Sequence, residues 1–228
     1  MILTFKGSTP QKADVKSFKF EAPEPLGWEA GQFIHYTLPH DNPDDRGIKR
    51  WFTISSAPSQ KEIVITTRIV GEKASSFKKA LDSLQPGDTI EAEVPEGDFT
   101  AEDTDRNYLW IAGGIGVTPF HSILVEAAAK GQSLKVNLLY ASRTTDITFK
   151  DEFDQLQQKN PNLKIDYVVE PNRIDEALLK TKLNEIENPF VYVSGPEPMV
   201  EALTEQIEKL GISKDNIKGD YFPGYEGV

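Results

Sequence analysis

YLWIAGGIGVTPFHSILVEAAAKG, Tyr108 to Gly131, decides how the chain folds. Its first five residues, YLWIA (108–112), read as a strand. A glycine-rich turn follows, and then PFHSILVEAAAK, an amphipathic helix that Gly131 closes. Pro119 suits the first helical turn, where no amide hydrogen is needed. Downstream the same rhythm recurs, with strands at LKVNLLY (134–140), LKIDYVV (163–169) and PFVYVS (189–194). A second helix, MVEALTEQIEKL, places Val200, Leu203, Ile207 and Leu210 on one face and is closed by Gly211. Strand, loop and helix in alternation imply a parallel sheet with helices on both sides, and ligands in such sheets bind at the C-terminal ends of the strands.

Upstream the rhythm differs. From Met1 to Thr100 short β-rich runs such as QFIHYTL, WFTIS, EIVITTRIV and TIEAEV are separated by turns such as GWEAG, HDNPDD and QPGD. Strands at this spacing predict an antiparallel barrel or sandwich. One short helix, SSFKKALDSL, interrupts them with Phe77, Leu81 and Leu84 at helical spacing. The wholly polar TAEDTDRN, residues 100–107, marks the boundary. The expectation is therefore two domains, a β-barrel over 1–100 and an α/β domain over 101–228.

Composition narrows the function. With 38% hydrophobic and 27% charged residues in 228, this is ordinary globular composition. No apolar run reaches the ~18 residues of a spanning helix, and the N-terminus lacks the layout of a secretory signal. A cytoplasmic setting without an integral membrane segment is expected. There are no cysteines, which excludes disulfides and four-thiolate iron–sulfur clusters. His35, His40 and His121 lack metal-ligand spacing, read as barrel-strand and helix residues, and predict no metal site. The net charge of −11 argues against a nucleic-acid partner. Residues 1–100 hold 12 basic against 15 acidic side chains and the remainder 13 against 21, so the acidity lies mainly in the C-terminal half.

GGIGVTPF, Gly113 to Phe120, has the context of a phosphate-cradling loop, between a strand and a helix N-terminus that favours negative charge. A tight strand-to-helix turn fits the same residues, and the spacing departs from a strict GxGxxG. Three further clusters accompany it: RWFTISS (Arg50 to Ser56), a GxxxS segment (Gly71 to Ser75) before the short helix, and SGPEPM (Ser194 to Met199) after a strand.

In this order and at these intervals, the clusters resemble the ferredoxin-NADP reductase superfamily. Its RxYS/T and G…S segments hold a flavin, and its GGxGxTP loop and CGPxxM turn hold a nicotinamide nucleotide. GQF (31–33), PEGDF (95–99) and the tail DYFPGY fit as well. The resemblance implies FAD rather than FMN, with NAD(P)H as cosubstrate. It places Arg50 on the flavin phosphate, Thr53 near the hydride-accepting nitrogen, and Ser75 with the backbone of Lys73 and Ala74 on the pyrophosphate. Trp51, Phe52 and Thr67 complete the flavin contacts. Gly113, Gly114, Gly116 and Thr118 meet the nucleotide phosphates, and Gly195, Pro196 and Met199 its nicotinamide end. Ser194 stands beside the hydride. Tyr225, with Phe222 as the alternative, covers the flavin face; for Tyr221 and Phe222 completion of the domain core is the other reading.

Two positions depart from the family pattern. Phe52 replaces its tyrosine and loses a hydroxyl, and Ser194 replaces its cysteine. Ser142 and Arg143, after the second α/β strand, fit the 2′-phosphate of NADPH, because no acidic residue occupies that strand end; a solvated loop fits them equally. The implied acceptor is a separate ferredoxin or flavodoxin. Such partners are acidic, so docking requires a locally basic edge drawn from Lys12, Lys16, Lys19, Lys49, Arg50, Lys73, Lys78 and Lys79. Free flavin, quinone or ferric chelates as acceptors, or a non-catalytic nucleotide sensor, are the alternatives.

Overall fold

The computed structural model describes residues 1–12, 14–71, 74–101 and 103–222. The chain divides into two compact units, Met1–Thr100 and Ala101–Val228.

The first unit is a six-stranded sheet of β1 (Ile2–Lys12), β2 (Val15–Glu21), β3 (Phe33–Thr37), β4 (Lys49–Thr53), β5 (Ile63–Arg68) and β6 (Thr89–Ala92). Their order is β4-β3-β6-β1-β2-β5, with antiparallel pairing throughout. Alternation sets the inside. In β3, Ile34 and Tyr36 are fully buried between partly exposed Phe33, His35 and Thr37. Just beyond β4 the Ser55 amide donates to the Val64 carbonyl at 2.9 Å and its hydroxyl lies 2.7 Å from that of Thr66. These bonds bring the two ends of the sheet together as a barrel. Helix α1 (Ser76–Ser83) buries Phe77 and Leu81 against Phe5, Phe18, Phe20 and Ile65. Burial at this depth stabilises by about 1.5–3 kcal/mol per side chain.

The second unit runs β7 (Asn107–Gly113), α2 (Thr118–Ala129), β8 (Lys135–Ser142), α3 (Lys150–Lys159), β9 (Leu163–Val169), α4 (Glu176–Asn184), β10 (Phe190–Pro196), α5 (Glu197–Lys209) and β11 (Ile217–Phe222). Its sheet has the order β11-β10-β7-β8-β9, all parallel. One face, with Leu109, Ile111, Leu139, Val191 and Val193, packs under Leu179 of α4 and Val200, Leu203 and Ile207 of α5. On the other, Trp110 stacks on Phe120 of α2 at 4.9 Å and Tyr140 meets Phe153 of α3 edge-on at 6.3 Å. Helices thus cover both sides.

Three expectations change. His40 is not a strand residue; it follows β3 in a loop, its Nδ1 2.7 Å from the Leu38 carbonyl. Residues 217–222 form a fifth strand, β11, beside β10. Tyr221 on that strand is 50% exposed, so it does not complete the domain core. Among the described residues no helix is long and apolar enough to cross a membrane, and no three His, Asp or Glu side chains gather as a metal-ligand group.

Candidate functional site

In the barrel unit, Arg50 leaves β4 to meet the start of α1. Its side chain is 13% exposed. Nη1 donates to the carbonyls of Arg46 (2.6 Å), Gly47 (3.0 Å) and Lys49 (2.6 Å), and Nη2 to Asp44 Oδ1 at 2.7 Å. Burial lowers the guanidinium's affinity for its proton, and the facing Asp44 carboxylate opposes that. Nε is buried and has no hydrogen-bond partner among the described residues. A buried donor without an acceptor costs about 1–3 kcal/mol, so the site suits an anionic oxygen, as a flavin phosphate would supply.

Around Arg50 the other barrel residues sort by burial. Thr53 is 5% exposed and paired with Phe33 across β3. Phe52 turns inward, its ring 6.2 Å from Tyr36 and 5.7 Å from Phe77. Trp51 faces outward at 40% exposure beside His35, and Thr67 is buried in β5. Ser75 caps α1, its hydroxyl accepting from the Lys78 amide at 3.3 Å, while the Ala74 amide donates to Gly71 at 3.2 Å. The start of α1 opens onto a cleft lined by His40, Asp44, Ala74, Ser75, Ser76 and Lys79.

In the α/β unit, the loop after β7 is clasped to the turn after β10. A Cβ on Gly116 would overlap the Ser194 carbonyl and lie 2.7 Å from Gly195 Cα; one on Gly113 would collide with the Met199 side chain and sit 3.2 Å from Pro196. Gly195 packs on Gly113 in return, a Cβ there meeting Gly113 Cα at 3.2 Å. Gly116 and Gly195 are glycine because two backbones approach closely, and Gly113 because the Met199 and Pro196 side chains fill the space of a Cβ. Gly114 differs: its φ is +53° and its free side faces open space. Thr118, 3% exposed, donates its hydroxyl to the Ile115 carbonyl at 3.1 Å and so secures the start of α2.

Ser194 is fully buried and donates to Asp220 Oδ2 at 3.1 Å, across the β10–β11 pair. Desolvation raises the Asp220 carboxyl to about 6, opposed by the Ser194 hydroxyl. Asp220 was not among the expected site residues; it opens the tail segment DYFPGY, which was read for its aromatic residues, and its register opposite Ser194 reveals its partner.

At the C-terminal ends of β8 and β9 lies a cavity of about 340 Å³, lined among others by Ser142, Glu170, Arg173, Pro196, Met199 and Gln206. Ser142 closes a local turn, its hydroxyl donating to the Thr144 carbonyl at 2.9 Å, and Arg143 beside it is exposed. Glu170 answers one sequence expectation. No acid ends β8, but Glu170 at the end of β9 reaches the same cavity, its amide donating to the Ser142 carbonyl at 3.1 Å. Arg173 lines the cavity with Glu170, so the lining offers an acceptor for ribose hydroxyls and a cation for a 2′-phosphate alike.

Four of the eight residues of the expected basic edge are paired with carboxylates. Lys16 pairs with Asp82 at 2.5 Å, Lys49 with Glu93 at 2.6 Å, Arg50 with Asp44 at 2.7 Å, and Lys19 with Glu62. Lys73 and Tyr225 lie outside the described residues; for Phe222 only its backbone register opposite Pro196 is described.

Residues 3–101 match the family model of the oxidoreductase FAD-binding domain and residues 110–205 that of the oxidoreductase NAD-binding domain. A flavohemoprotein from Burkholderia sp. (strain TH2) is 30% identical over 212 residues, covering 87% of this chain and 52% of that protein. The fold is similar to that of the Amycolatopsis cytochrome P450 reductase GcoB (TM-score 0.80, 23% identity, 97% of this chain and 70% of that one). It is similar also to ferredoxin-NADP+ reductase from Plasmodium falciparum (TM-score 0.82, 16% identity, 97% and 95%). The chain spans about half the length of the curated relatives it matches.

Proposed function

The chain belongs to the ferredoxin-NADP reductase superfamily of FAD- and NAD-binding oxidoreductases, and from that premise we propose that it transfers hydride between NAD(P)H and FAD and passes the electrons to a separate acceptor. The observation that carries this reading is the clasp of Gly113 and Gly116 onto Ser194 and Gly195, at the C-terminal ends of adjacent strands β7 and β10, with Gly114 open beside it. In a parallel sheet this is where a dinucleotide lies.

FAD, when bound, supplies the redox chemistry, taking up two electrons and releasing them singly. The protein's part is orientation. Arg50 would hold the flavin phosphate, with the start of α1 and Ser75 beside it. Thr53 would stand near the hydride-accepting nitrogen. Ser194, held by Asp220, borders the nicotinamide, and the donor and acceptor atoms need to stand roughly 3–3.5 Å apart. By the family resemblance Tyr225, which lies outside the described residues, would cover the flavin face, with Phe222 the alternative. No general base is required.

With no cysteine in the chain, it offers no thiolate ligands for a cluster of its own, and a ferredoxin- or flavodoxin-like protein is the acceptor that fits the family. The ion pairs at Lys16, Lys19 and Lys49 favour a second reading, a small acceptor such as a free flavin, quinone or ferric chelate. Ionic strength separates them. Reduction of an acidic protein slows steeply as salt rises, whereas reduction of a neutral quinone does not.

The flavin assignment is tested by Arg50→Ala, which is expected to lose FAD; because Arg50 also ties Asp44 and three carbonyls, the flavin-free variant is expected to melt somewhat lower but to stay folded. Equal FAD retention in variant and parent rejects it.

A further inference from the structure

Asp44 lies in the loop between β3 and β4, yet it gathers donors from three places. Its Oδ1 accepts from Arg50 Nη2 at 2.7 Å and from the Arg46 amide at 3.1 Å. Its Oδ2 accepts from the Ser76 amide, the first of α1, at 3.1 Å and from Arg46 Nη2 at 3.2 Å. The Asp44 amide donates in turn to Ser76 Oγ at 2.9 Å. Three carbonyls hold Nη1 of Arg50 from the other side. Both Nη groups of Arg50 are therefore fixed, and Nε, buried and without a partner among the described residues, is the donor left over. Only a carboxylate offers enough lone pairs for four donors at once. Although desolvation raises it, hydrogen bonds from the Ser76 amide and from Arg46 bring the Asp44 carboxyl down to about 2, so it is ionised at every working pH. Asp45 also acts on Arg50, so Asp44, Asp45, Arg46 and Arg50 sum to no net charge, and the attraction for a phosphate lies in the oriented Arg50 donor rather than in excess positive charge.

We propose that Asp44 is a positioning residue for the flavin phosphate, locking the Arg50 guanidinium to the first turn of α1 so that its orientation is set before a phosphate oxygen displaces what covers Nε. The inference rests on the reading that Arg50 meets that phosphate. A long arginine that is held in place before binding loses little conformational freedom when the ligand arrives. Releasing it weakens binding by up to about tenfold, the equivalent of ordering one rotamer-rich side chain.

The test is the FAD dissociation constant, read by flavin fluorescence, for the parent, Asp44→Asn, Arg50→Ala and the double variant. Asp44→Asn is expected to weaken FAD about tenfold in the parent and to change nothing further once Arg50 is alanine. A merely structural tie between loop and helix predicts the same loss in both backgrounds, and that result overturns the proposal, as does unchanged or tighter binding in Asp44→Asn. Arg50→Ala at parental affinity sinks the phosphate reading and this inference together. Arg50→Ala losing FAD while Asp44→Asn keeps it sinks this inference alone. Should Asp44→Asn not fold, Asp44→Ser is read against the same outcomes.

Discussion

Asp220 shows what a single side chain contributes that motif reading misses. Its carboxyl is raised from 3.8 to about 6 by desolvation, with only the Ser194 hydroxyl opposing. The sign follows from linkage. Below pH 4 the group is neutral in the folded and unfolded chain alike and costs nothing; between about 4 and 6 the unfolded chain ionises first, so stability falls as pH rises and stays lower above 6. The loss is up to about 3 kcal/mol, reduced by whatever solvent reaches the group. Asp220→Asn is therefore expected to remove most of the stability change between pH 4 and 6, measured by urea unfolding; an unaltered pH profile contradicts the placement. Ser194, buried against the same carboxyl, offers a second handle. Ser194→Cys is expected to change the rate of flavin reduction while leaving nucleotide affinity nearly unchanged, and stopped-flow reduction without oxygen measures it. Neither residue's pairing was legible in the sequence, because a Ser–Asp contact 26 positions apart depends on strand register.

At the scale of elements, the clasp between the β7 loop and the β10 turn is the feature most sensitive to substitution. Gly116→Ala forces a methyl group into the backbone of Ser194 and Gly195. Overpacking of this kind costs about 1–3 kcal/mol, and it spreads the two loops on which nucleotide binding depends. The variant is expected to melt lower and to bind NAD(P)H more weakly. Gly114→Ala, facing open space, pays only for its positive φ, roughly 1–2 kcal/mol. Calorimetry and nucleotide titration compare them, and an equal loss of binding in both undoes the distinction. The sequence marked all these glycines but not their separate reasons, which lie in the approach of a segment some 80 residues away. It also left α3 and α4 unnamed. Each buries one residue, Phe153 in α3 and Leu179 in α4, too few to impose a helical period on the pattern. Helix α5, with Val200, Leu203 and Ile207 buried on one face, and strands with continuous apolar runs were legible for the opposite reason, whereas α2, expected to be amphipathic, buries nine of its twelve residues and has no solvent face over most of its length. Strand β11 hid behind glycine and charge in IKGDYF, because an edge strand needs less apolar surface.

For the molecule as a whole, two kinds of sheet in one chain were readable from the change of rhythm at residues 100–107, since period-two strands and strand–helix alternation cannot be confused over this length. What a charge count misses is where cations are neutralised. Lys16, Lys19 and Lys49, part of a basic edge on paper, are paired with carboxylates in the fold, so net charge alone overstates their pull on an acidic partner. The central claim, that one chain brings a reducible flavin and a nicotinamide donor together, is tested most directly by anaerobic titration of the FAD-loaded protein with NADH and NADPH, followed by the flavin's visible absorbance. The expected result is a yellow protein whose flavin bleaches stoichiometrically with at least one of the two nucleotides. A protein that takes up no FAD, or whose bound flavin stays oxidised through excess of both, contradicts it.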